Sequence, residues 1–246
     1  MQRGTRVDQA AQRLVDRIAS GEFEDDAPLP REVDLAAQLE VSRLTLRESV
    51  SILKTQGILR VEHGRGTYVN PLSRWTAIGP FVRATSQADA GAATPLHLLQ
   101  VRRMIETGAA ELFASTRTDA DLESMRAGID LMGRAHAATK VADFVAADLA
   151  FHQVILEGCG NPFVAMLYRP IGRELEQARA QTSNIAAVRV HAQHEHEQIL
   201  DALRSGDPVA SREAMESHLR QTIDDLVQYV LHPAGTDPVT VPEPAV

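Results

Sequence analysis

From Pro95 to Leu231 the apolar residues recur at helical spacing, and nowhere do they alternate as a strand would require. Helical patterns follow one another at about 95–115, 119–137, 141–158, 162–182, 186–205 and 208–231. Asn161-Pro162 and Gly206-Asp207-Pro208 punctuate them, as caps and first-turn prolines do. Segments of this length, so closely connected, fold most simply as an antiparallel all-α bundle spanning residues 95–232. At 246 residues the chain has room for a second modest domain before it.

That first domain, residues 1–70, follows a different plan. Val7, Ala11, Leu14 and Ile18 mark a helix that stops near Ser20-Gly21, and the acidic, proline-bearing stretch Glu22 to Pro30 reads as a loop. A short helix over Glu32 to Leu39, a break at Glu40-Val41 and a third helix capped by Ser42 make a helix-turn-helix. In such a motif the N-terminal residues of the second helix enter the major groove. Here those residues are Ser42, Arg43, Thr45 and Arg47. Arg43 and Arg47 share a helix face and can each bond guanine O6 and N7, while the two hydroxyls suit phosphate oxygens. Two β-rich runs, Ile58 to Val61 and Thr67 to Val69, flank His63-Gly64-Arg65-Gly66, a hairpin tip suited to the minor groove. The expected fold class is therefore mainly α: a winged helix-turn-helix with a small β-hairpin, then the helical bundle. Residues 71–94 read as a linker with one short helix around Ile78 to Ala84, and residues 233–246 as a disordered tail.

Charge limits how such a protein meets DNA. The formal net charge is -8, yet residues 1–70 carry 10 basic and 11 acidic side chains, against 15 and 22 in residues 71–246. Within 41–67 five basic residues face two acidic ones, so contact with duplex must be local and the acidic remainder discourages non-specific binding. Cys159 is alone, which excludes an intrachain disulfide and suits a reducing interior. No run of about 18 apolar residues is present for a membrane span, and the N-terminus leads into an amphipathic pattern, not a signal-peptide core. A cytoplasmic location is expected.

Four side chains in the bundle form a candidate metal set. Asp148 and His152 lie four apart in D-L-A-F-H, one turn apart on one helix face. Ile199, Leu200 and Leu203 fall within about 60° of His196 on a helical wheel, so this imidazole lies mid-stripe, whereas His194 is about 160° away and faces water. His218 sits between Ala214, Met215 and Thr222. A carboxylate and three imidazoles that converge would suit a divalent transition metal; otherwise each histidine is a hydrogen-bonded core residue.

The string L-P-R-E-V-D-L-A-A-Q-L-E-V-S-R-L-T-L-R-E-S-V, followed by H-G-R-G-T-Y-V, resembles the winged helix-turn-helix of the GntR family of bacterial transcriptional regulators over residues 7–70. The resemblance implies DNA contact by Ser42, Arg43, Thr45, Arg47 and His63, with Gly64 and Gly66 shaping the wing. Where the family often carries an arginine after the Leu-Pro-x-Glu run, this chain has Val33, so its operator preference is its own.

D-L-A-F-H, the Gly160-Asn161 step, E-H-E-Q-I-L-D-A-L with G-D, and A-M-E-S-H-L resemble the FCD effector domain of the FadR-type subgroup over residues 95–230. That resemblance implies a divalent metal on Asp148, His152, His196 and His218, with zinc expected and nickel or manganese as alternatives. Arg102, in Q-V-R-R-M-I-E, matches a family arginine that faces the cavity and would clamp an effector carboxylate. The plainer role for Arg102 is a surface salt bridge to Glu106, four residues on.

Together these features describe a homodimeric, metal-containing repressor, not an enzyme. It would bind a near-palindromic operator in double-stranded DNA and respond to a small carboxylate. A metal-dependent hydrolase built on the bundle, with Glu106 or Glu157 as base, is the rival, and a purely structural metal is a third reading.

Overall fold

The structure is a computed structural model and describes residues 5–88 and 93–231. The tail expected over 233–246 lies outside the described residues. Two compact units divide the chain between Thr94 and Pro95.

In the first unit, α1 (Arg6–Ala19) opens on a capping box: Thr5 Oγ1 accepts from the Asp8 amide, and Asp8 returns a carboxylate oxygen to the Thr5 amide. Leu14, Val15 and Ile18 carry its buried face. The loop after it passes to α2 (Glu32–Gln38), and Glu40 turns the chain with φ 55 into α3 (Arg43–Thr55). A left-handed non-glycine residue costs roughly 1–2 kcal/mol, which the packing of Leu35, Leu39 and Leu46 on either side offsets. Strands β1 (Leu59–Glu62) and β2 (Gly66–Val69) pair antiparallel, from Leu59 opposite Val69 to Glu62 opposite Gly66.

The loop expected over Glu22 to Pro30 does more than connect. Leu29 donates its amide to Thr67 and Val69 donates to Ala27, so this segment covers the open edge of β2, with Pro28 bridging Tyr68. An exposed edge would otherwise offer unpaired backbone groups. Helix α4 (Ile78–Ala88) is longer than the short helix expected there, and it packs on α1.

The second unit is helical throughout: α5 (Ala93–Thr116), α6 (Asp119–Ala137), α7 (Val141–Gly158), α8 (Pro162–Tyr168), α9 (Gly172–Ser183), α10 (Ala186–Ser205) and α11 (Pro208–Leu226). Helix α6 packs on α7 and α10, α10 on α11, and α7 on α9. The core holds Phe113, Met125, Ile129, Phe144, Phe151 and Leu200 among others. One sequence expectation fails here. The single helix over 162–182 is two helices, separated by a 3-10 turn at Arg169–Ile171. Pro170 lacks an amide proton and its ring clashes with the preceding turn, so the helix breaks there and restarts at Gly172. The final helical pattern likewise ends its α-helix at Leu226 and finishes in a π turn, Val227–Leu231.

Gly57 ends α3 with φ 72, and a Cβ there would press into the carbonyl oxygen of Arg74. Gly57→Ala should therefore destabilise the first unit by more than the ~1–2 kcal/mol of left-handed strain alone. A denaturant titration followed by Trp75 fluorescence measures the loss.

Candidate metal centre and nucleic-acid interface

Helix α7 brings Asp148 and His152 into the core on the face that also buries Phe144, Phe151 and Ile155. Helix α10 buries His196 beside Ile199, Leu200 and Leu203 and leaves His194 exposed, and α11 buries His218 beside Met215 and Leu219. One ring nitrogen from each of the three histidines lies within 4.8 Å of the others. The Nε2 of His196 is 3.2 Å from that of His152 and 3.1 Å from Asp148 Oδ1, and His152 Nε2 is 3.8 Å from the same oxygen.

Proton placement makes this cluster informative. His196 Nδ1 is 2.5 Å from the carbonyl of Ala192, which only accepts, so Nδ1 carries the proton. Burial, then the neighbouring His152, hold its pKa well below the ordinary value, so the ring is neutral and Nε2 is a bare lone pair. Glu106 Oε2 lies 2.6 Å from His152 Nδ1, although not in line for a straight hydrogen bond. His152 Nε2 is turned to His196. The bare His196 nitrogen, His152 Nε2 and a carboxylate oxygen thus face one another. His218 adds two buried ring nitrogens without hydrogen-bond partners, and burial and His196 keep it neutral too. Imidazole nitrogens and a carboxylate oxygen gathered this closely are the donor types a transition-metal ion takes. Three imidazoles and one carboxylate therefore fit a divalent transition metal.

Around this cluster runs a buried ionic network. Arg102 and Glu106 pair on α5 at the i, i+4 spacing, but both are only 1% exposed; this is no surface bridge. Arg102 gives Nε to Glu106 Oε1 at 2.7 Å, and the Tyr168 hydroxyl donates to the same oxygen. Burial alone would raise the Glu106 pKa, yet Arg102 and His152 hold it well below the usual carboxylate range. Arg179 on α9 places Nη1 against Asp148 Oδ2, while its Nε and Nη2 are buried without a partner. Burial and the nearby charge of Arg102 lower its pKa well below the ordinary value.

Tyr168 and Arg179 were not among the residues read from sequence, and Glu106 entered only as a surface partner of Arg102 or as the base of the rival enzyme. Arg179 did leave a trace: with Ile171, Leu175 and Thr182 it shares a helical stripe whose other members are buried.

In the first unit, the Ser42 hydroxyl caps α3 by accepting from the Thr45 amide at 3.0 Å, and shares a hydrogen with the Thr45 hydroxyl. Arg43 and Arg47 are exposed, and each gives Nε to one oxygen of Glu32 at 2.8 Å. Those guanidiniums, Arg47 foremost, lower the Glu32 pKa. Both bonds use Nε, so the Nη ends of both arginines stay clear of Glu32. His63, Gly64, Arg65 and Gly66 form the exposed hairpin tip, with Gly64 at φ 74 and Gly66 at φ 132. Arg60, counted among the basic residues, is occupied: it contacts Asp26, Glu62, Asn70 and the Tyr68 ring.

Residues 6–69 match the model for bacterial regulatory proteins of the gntR family, and residues 97–221, half of the chain, match the FCD domain. The chain belongs to the GntR family, with an FCD domain. Among curated relatives, the HTH-type transcriptional regulator LutR of Bacillus subtilis is 29% identical over 86% of this chain and 97% of its own. The Uxu operon transcriptional regulator of Escherichia coli is 28% identical over 87% and 84%. The HTH-type transcriptional repressor NanR of Cronobacter sakazakii is 27% identical over 85% and 80%. A solved GntR structure from Streptococcus agalactiae aligns with TM-score 0.50 and 28% identity over 89% of this chain and 99% of that one.

Glu106→Ala would leave Arg102 buried without its counter-charge. It should cost about 3–5 kcal/mol, read as a lower denaturation midpoint by circular dichroism.

Proposed function

We propose that this GntR-family regulator is a metal-dependent repressor that binds operator DNA as a homodimer and releases it in response to a small organic acid. As a family member it is a ligand-responsive DNA-binding regulator, and its relatives and domains are those of transcriptional regulators, not enzymes. Among the described residues no helix is long and apolar enough to cross a membrane. The repressor assignment draws on the NanR relatives.

The observation that supports the metal is the convergence of one ring nitrogen from each of His152, His196 and His218 within 4.8 Å, with Asp148 Oδ1 3.1 Å from His196 and 3.8 Å from His152. Asp148, His152, His196 and His218 would hold the ion, which supplies a fixed positive charge for an anionic effector. Zinc suits the N₃O donor set, with nickel and manganese as competitors. Glu106 places a carboxylate beside His152 Nδ1. Arg102, paired with Glu106, belongs to the buried network around this site. An effector acts only through a difference in affinity between DNA-compatible and incompatible arrangements of the dimer.

In the first unit, Ser42 and Thr45 would present hydroxyls to phosphate, and Arg43 and Arg47 would read base edges in one half-site per protomer. His63, Gly64, Arg65 and Gly66 would follow the minor groove. Glu32 acts as a brace: by holding both Nε atoms it fixes the direction of the Nη ends that bond guanine.

Arg43→Ala or Arg47→Ala should weaken operator binding by about 1–3 kcal/mol and relax specificity at one base pair. Glu32→Gln should lower the ratio of operator to random-sequence affinity. Fluorescence anisotropy at fixed salt measures both, and unchanged binding in both arginine variants would overturn the reading-helix assignment. For the metal, His196→Ala should abolish stoichiometric zinc uptake and the rise in melting temperature that zinc gives the parent protein. A parent protein that takes up no divalent ion on titration contradicts the metal centre. If chelation lowers the melting temperature but leaves effector affinity intact, the ion is structural only.

A further inference from the structure

Leu44 sits in the first turn of α3, between the two arginines of the reading helix, and is 67% exposed. The other leucines of this motif, Leu35, Leu39, Leu46 and Leu53, are buried in the core of the first unit. Ser42 supplies the cap, so neither capping nor packing calls for a leucine here. An isolated exposed leucine is ordinary in itself; its position is what makes this one informative. On a helical wheel Arg47 lies about 40° from Arg43 and Leu44 about 100°, so the three share one arc. The arginine side chains in that arc are 60% and 64% exposed. Val33, 58% exposed on α2 and next to Glu32, adds a second apolar side chain to the exterior of the motif.

We propose that Leu44 is a specificity residue that reads thymine, packing its isobutyl group on the 5-methyl group of a thymine beside the guanines bound by Arg43 and Arg47. This rests on the regulator reading. The thymine methyl is the one alkyl group that base pairs present in the major groove. Leucine has neither donor nor acceptor, so over any other base edge it strips water from polar groups and returns no hydrogen bond. Attraction to the methyl and rejection of a polar edge therefore act in the same direction. The two arginines select by hydrogen bonds and Leu44 by shape and desolvation, so the half-site should carry an invariant thymine next to guanine.

The test uses the full chain, which first selects duplexes from a random-sequence pool; the enriched duplex is the probe. It is then remade with deoxyuridine for thymidine, one position at a time. That exchange removes a single methyl group and keeps every hydrogen-bonding group of the base. Fluorescence anisotropy at fixed salt gives each affinity. Loss of one buried methyl predicts a fall of about three- to fivefold at one position of each half-site. Leu44→Ala should bind the uracil duplex about as well as the parent protein does, and its preference for thymidine over deoxyuridine should fall to about one. Leu44→Val, one carbon shorter, should keep part of that preference. Leu44 is exposed and alanine is the best helix former, so the alanine variant keeps its fold. Val61→Ala trims another exposed apolar side chain of the same unit, on β1, and should leave both affinity and preference unchanged.

A parent protein that accepts uracil at every position without loss overturns the thymine assignment. So does an unchanged preference in Leu44→Ala, which would place the effect in duplex shape or in another side chain. Enrichment of a sequence by the parent protein, and its weaker binding in Arg43→Ala and Arg47→Ala, report separately on the regulator reading. If they hold while uracil is tolerated, only the thymine contact has failed. A parent protein that enriches no sequence overturns both.

Discussion

Glu106 lies almost wholly out of solvent, so every lone pair it carries must be answered from inside the protein. The answers come from three directions: the Arg102 guanidinium on its own helix, the Tyr168 hydroxyl from the end of α8, and the Nδ1 edge of His152 on α7. One carboxylate thus ties three helices together. Each neighbour depends on it in turn. Without Glu106, Arg102 is a stranded charge and His152 loses the carboxylate beside its Nδ1. The polar interior of the bundle is a single connected network, and such networks stand or fall together.

The DNA-facing unit uses the same device at its surface. Glu32 opens α2, and its two oxygens gather the arginines that project from the first turns of α3. There the surroundings are wet and the ion pairs contribute little stability. Their effect is on direction: two long side chains that would otherwise sample many rotamers are held with the same edge inward. Inside the bundle a carboxylate compensates charge; at the surface it aims it.

Much of this was legible in the sequence because periodicity reports burial. The helical spacing around His196 separated it from His194 two positions away, and the structure buries the first and exposes the second. The turn chemistry of Ser42 and Gly206 marked helix ends where they occur. The break at Pro170 was also in view, but the apolar stripe on either side masked it, since Ile171 and Leu175 continue the pattern of Tyr168. What could not be read was long-range pairing. Nothing near Arg102 in sequence says that Tyr168 will arrive at its partner, and nothing near Arg179 says that Asp148 will. Pairwise contacts across 31 to 62 positions are set by helix packing, and a single sequence carries no record of which faces meet.

The interruption at Arg169–Ile171 has a mechanical consequence. It makes α9 a twelve-residue rod, free of α8 at one end and separated from α10 by Asn184 and Ile185 at the other. A rod jointed at both ends shifts as a rigid body by rotating a few backbone torsions, with its internal ladder intact. Bending α10, continuous from Ala186 to Ser205, would instead sacrifice ladder bonds.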